Sequence, residues 1–197
     1  MFRITTERML PSMSSNGQAE LRLGFLTAIE TADGGYAGGL LVTNRMGRPL
    51  EFQCTAPVRP NHTQELLYGP TLRSWVFGDL IGRTLVTRVS VKPDVVFVDQ
   101  PEFLDLRQHV SVPVACVSET DDEPAATGQP ATSAGGGTAV AQQQNLLQIG
   151  GAFLRFDPAY SEDREAIQQQ AEVLPAAADL GEPFDRVREA LRETVPV

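Results

Sequence analysis

From Leu21 to Glu30 the chain alternates at a period of two. Leu21, Leu23, Phe25, Thr27 and Ile29 fall on one face, and Arg22, Gly24, Leu26 and Ala28 on the other. This predicts a strand with both faces at least half covered. LLVTN predicts a second strand, and Leu50, Phe52 and Cys54 alternating with Glu51, Gln53 and Thr55 predict a third. The connections read as hairpins: TADGGYAGG is glycine-rich, and NRMGRP offers Asn44 and Gly47, which tolerate positive φ, with Pro49 entering the next strand at its start. Asn61 then caps a short helix, HTQELLY, which Gly69 and Pro70 break.

Between Leu72 and Val89 the spacing becomes helical, with apolar residues almost all round and a narrow polar strip of Arg73, Thr84, Thr87 and Arg88. A helix of that kind needs cover on two sides. DVVFV is a continuous apolar run suited to a central strand, PEFLDLRQHV a turn or two of helix, and SVPVACVSE a further strand. Residues 119–144, rich in Ala, Gly, Thr, Pro and Gln, read as a flexible linker. NLLQIGGAFLRFD could return a short strand to the core, and two helices follow: one begins at Glu162, the other opens at Glu182-Pro183 with a Phe184, Val187, Leu191 stripe. The expected fold is therefore α/β (or α+β): a three-stranded antiparallel meander, an apolar helix, a β-α-β unit, a linker and a C-terminal helical pair. The expected organisation is a disordered segment over 1–20, a core domain over 21–118, the linker 119–144, and a C-terminal helical segment over 145–197 that packs on the core and covers helix 72–89, within one chain or between two.

Charge changes this picture in one respect. The net charge of −9 is uneven: residues 45–92 carry seven basic against three acidic residues, residues 93–197 six against eighteen. An acidic chain repels polyanions at long range, so nucleic acid is a secondary candidate partner, reached only through a local cluster of Arg45, Arg48, Arg59, Arg73, Arg83 and Arg88. Pairing of that cluster with the acidic C-terminal helices is the simpler expectation. Lys92 is the single lysine among sixteen basic residues, which removes nearly every candidate for lysine chemistry. The first twenty residues hold no unbroken apolar run and no stretch approaches a membrane span, so a cytoplasmic chain without a leader or membrane partner is expected. Cys54 and Cys116 lie in apolar runs at no ligand spacing and read as core residues.

Candidate chemistry is sparse. The GxSxG, HExxH and CxxC patterns are absent, and so are internal repeats. His62 and Glu65, three apart on a helix, offer a weak metal pair. Asp99 ends a central strand, where open α/β sheets gather ligands. The element order of residues 21–118 resembles that of the ribonuclease H-like fold, which implies two divalent metals, Mg or Mn, held by carboxylates and used to cut phosphodiesters. The positions that would correspond are Glu30, Glu65 and Asp99, although the first strand has no acid in its middle. The leading expectation is a non-enzymatic protein-interaction or scaffold module without a cofactor. It would meet a protein partner or a second copy through Trp75, Phe77, Arg73, Arg83 and Arg88 on helix 72–89 and through its acidic tail. A divergent nuclease or nucleic-acid-processing subunit is the alternative.

Overall fold

The computed structural model describes residues 20–119, 146–171 and 179–195, and the predicted linker and N-terminal segment fall almost wholly outside them. Strands β1 (Arg22–Glu30), β2 (Tyr36–Asn44) and β3 (Pro49–Cys54) pair antiparallel in sequence, as the hairpin connections between them predict. Gly34 and Gly47 turn the chain with φ of 75° and 74°, a left-handed conformation that costs glycine nothing. The other two glycines of the first connection are strand residues. Gly38 and Gly39 sit in β2 and face opposite ways, where an added Cβ would lie 2.1 Å from Ile81 on one side and 2.8 Å from Val187 on the other. Two bare backbone positions thus let a helix approach each face.

Seven strands form one mixed sheet in the order β3-β2-β1-β4-β5-β7-β6. β4 (Val95–Val98) lies parallel to β1 and to β5 (Val114–Glu119), fully buried as its continuous apolar run predicts. The segment after the linker returns two strands: β6 (Leu146–Ile149) and β7 (Ala152–Arg155) form a hairpin over Gly150, and β7 pairs with β5. The expected α/β class and element order hold.

Leu26, Leu40, Val96 and Val98 pack on the helical block. This comprises α1 (His62–Tyr68), α2 (Leu72–Ser74), a π-helical segment (Trp75–Gly82) and α3 (Arg83–Arg88). The predicted helix 72–89 is helical almost throughout, but its middle bonds i to i+5. Its outer cover is a 3-10 segment (Pro101–Gln108), which buries Phe103 and Leu106 and sets the Phe103 ring 4.8 Å from that of Phe77. Gly78 and Gly82 permit the approach, since a Cβ at Gly78 would meet Asp105 at 2.9 Å. The predicted cover by the C-terminal helices is corrected here. Helices α4 (Glu162–Ala171) and α5 (Glu182–Thr194) pack on the opposite face, against Leu23, Phe25, Phe97 and Leu41, with the sheet between them and helix 72–89. The reason is that β1 and β4 are apolar on both faces and each face needs a cover, worth ~1.5–3 kcal/mol per large side chain buried. Phe184 supplies part of it, 5.5 Å edge-on from Phe25.

One buried ion pair ties these layers together. Arg107 Nε donates to both oxygens of Asp163 at 3.0 and 2.7 Å, its Nη1 donates to the Val110 carbonyl, and Asp163 also accepts the Val114 amide. Among the described residues no helix is long and apolar enough to cross a membrane.

Candidate functional site

The parallel strands β1, β4 and β5 place Thr27 and Asp99 side by side at their carboxyl ends, where strand carbonyls leave a crevice in open α/β sheets. Thr27 Oγ1 donates to Asp99 Oδ2 at 2.9 Å, and Arg188 Nη2 of α5 donates to the same oxygen. Asp99 Oδ1 is buried and has no hydrogen-bond partner, and the side chain is 10 % exposed. Burial pushes the Asp99 carboxyl above its ordinary value, against the opposing pull of the Thr27 hydroxyl and the Arg188 guanidinium. Gln100 completes this edge: its amide takes the Ala28 N–H at 3.2 Å and donates to the Ala28 carbonyl at 2.9 Å, pairing β1 past the end of β4.

The carboxylates expected to act with Asp99 do not join it. Glu30 is exposed at the end of β1, and Glu65 is exposed on α1, 3.5 Å from His62. Among the described residues no three His, Cys, Asp or Glu side chains are grouped to hold a metal. The cation facing Asp99 is Arg188, which meets its Oδ2 oxygen. With no second carboxylate beside Asp99 among the described residues, the residues present do not fit a two-metal centre.

The predicted contact residues divide. Phe77 is 1 % exposed and belongs to the core, so it offers nothing to a partner. Trp75 is half-buried and stacks on Tyr68 at 4.2 Å, while Arg73 lies over the Tyr36 and Phe77 rings and pairs with Glu102 at 3.1 Å. Arg83 pairs with Asp79 and lines a shallow groove with Thr84, Thr87 and Arg88. Among the described pairs, Arg59 meets Asp33, Arg73 meets Glu102 and Arg83 meets Asp79, whereas Glu182 and Asp185 of the C-terminal helix are met by Arg186 and Arg188.

A surface that sequence reasoning passed over lies just before them. No residue of α1 is buried, and Leu66 and Leu67 are 70 % and 79 % exposed. The helix is held by its ends. Asn61 and Gln64 form a capping box at one end, and Tyr68 stacks on Trp75 at the other. The available signal was that HTQELLY has no apolar residue three or four positions before Leu66 and Leu67, so it draws no stripe to dock on a core. Thr27 was read only as a buried strand residue, and nothing marks Arg188 as a partner for a carboxylate 89 positions away.

These features define a three-layer α/β protein with a closed carboxyl edge and an apolar helix turned outward. No protein-family model matches the chain, and no curated protein matches it in sequence.

Proposed function

We propose that this chain is a non-enzymatic, cytoplasmic protein-interaction module whose contact helix is α1. The observation that carries this reading is the exposure of Leu66 and Leu67 on a helix whose residues are not needed by the core. A seven-residue helix is marginal by itself, yet here capping and an aromatic stack hold it in place with its leucines outward. The outward acids of α5, Glu182, Asp185, Glu189 and Glu193, give the protein a second, charged surface.

The test is recovery of partners from the source lysate with tagged wild type and with Leu66→Asp/Leu67→Asp, each with and without nuclease treatment. The double variant should keep its stability within ~0.5 kcal/mol, since both positions are exposed. A protein retained by wild type and lost with the variant supports the module. Identical recovery by both, or recovery that collapses on nuclease treatment, overturns it.

The alternative, a divergent nuclease, keeps one observation in its support, the unpartnered Asp99 oxygen at the carboxyl edge, although Glu30 and Glu65 lie away from it. Its discriminating measurement is thermal unfolding with and without Mn²⁺. A stabilisation lost in Asp99→Asn supports the nuclease, and an unchanged midpoint removes it.

A further inference from the structure

Among the described residues the sheet ends at β3. Antiparallel pairing to β2 uses the backbone of alternate residues, and the Thr55 N–H to Gly38 carbonyl bond fixes the phase: Gln53 and Glu51 turn their backbones toward β2, and Phe52 and Cys54 turn theirs outward, while a bulge opposite Val42 interrupts the alternation at Leu50. Phe52 and Cys54 carry their side chains on the α5 face. Helix α5 packs over β1 and β2 and stops short of β3, which leaves a groove of about 270 Å³ between Leu50 and Phe52 of the strand and Arg186, Val187 and Ala190 of the helix. Leu50 at its rim is 40 % exposed. At its side Arg186 donates to the Gly47 carbonyl and to Glu182 through its terminal nitrogens, but its Nε is buried and has no acceptor.

We propose that β3 and this groove form a strand-addition site for an extended segment of a partner protein that carries a large apolar residue and, two positions along, a carboxylate. Three features select that occupant. The outward N–H and C=O groups match an extended backbone. The groove is lined mostly by apolar side chains, among them Leu41, Leu50, Phe52 and Val187, which suits a large apolar anchor. The unpaired Nε donor calls for an anionic oxygen, and residues two apart on a strand share a face, so one face of the segment supplies both the apolar anchor and the acid. Among the described residues, edge protection of β3 is confined to its start, where Pro49 and the bulge at Leu50 lie; beyond them the Glu51 carboxylate is turned to the other face, where it accepts the Ser90 and Val91 amides. The opposite edge of the sheet is less open, because Arg164 donates to the Leu146 carbonyl of β6.

The inference deepens the interaction-module reading but stands on different residues from α1, so the two fail separately. The probe is a display library of short random peptides, selected on the immobilised full chain. The expected result is enrichment of peptides with a large apolar residue and Asp or Glu two positions away. The best of these is then made with N-methyl groups on alternate amides, in each of the two phases. One phase should bind ~10-fold or more weakly than the other, because only one edge of an extended peptide faces β3. Binding should shift the amide resonances of Phe52 and Cys54, weaken in Arg186→Gln, fail in Ala190→Trp, and persist in Leu66→Asp/Leu67→Asp. Enrichment without that pattern, equal binding by both methylated phases, or shifts confined to α1 would overturn the site. So would self-association that protects the β3 amides without peptide, since a second copy would then be the occupant.

Discussion

A methyl group at Gly38 would overlap Ile81 at 2.1 Å, and the collision is with a buried branched side chain rather than a flexible tip. Gly38→Ala should therefore lower stability by ~1–3 kcal/mol, read as a fall in the denaturation midpoint. Asp99 makes a different prediction, in pH. Its folded pKa lies above the unfolded one because burial disfavours its charge, so the folded state binds the proton more tightly. The stabilisation this gives is complete below the ordinary aspartate pKa and is lost as pH rises through the raised value. Asp99→Asn should flatten that part of the stability profile; an unchanged slope would show that Asp99 is not its source. Cys116 is buried, and burial pushes its thiol up to about 11, so it should resist alkylation at neutral pH until the chain unfolds.

At the scale of elements, the buried pair of Arg107 and Asp163 fastens the 3-10 segment and α4 to the start of β5. Arg107→Leu leaves a carboxylate buried without its cation and should cost ~3–5 kcal/mol. Arg107→Leu/Asp163→Leu should recover much of that loss in urea unfolding, and equal losses in the single and double variants would contradict the account. The strands β1 to β5 were legible because their alternation, or the unbroken run of β4, is a property of adjacent residues. The cover of helix 72–89 was not. Phe103 and Leu106 are two of three large apolar residues in an eight-residue stretch too short to show a helical period, and the π-helical middle of helix 72–89 breaks the 3.6-residue phase on which its faces are assigned. Arg188 was equally silent, because a charge on an amphipathic helix reads as solvated until the fold brings a carboxylate under it.

For the whole molecule, the sheet is a partition with a different set of helices on each side. Removing residues 120–197 strips α4, α5 and the β6–β7 hairpin, which bares Leu23, Phe25, Val95, Phe97 and Val117 and the backbone edge of β5. The truncated chain should aggregate on light scattering, whereas a soluble monomer of unchanged stability would show that this face needs no cover. The likeness to the ribonuclease H-like element order is a likeness of scaffold, and activity resides in side chains. Here the position that the likeness marks is met by an arginine. The pairing of Phe25 with Phe184 also sets a timetable for the protein's birth. At ~5–20 residues per second the ribosome needs roughly four to seventeen seconds to travel from Phe97 to Phe184, and until Phe184 arrives the aromatic face of β1 and β4 has no cover from α5.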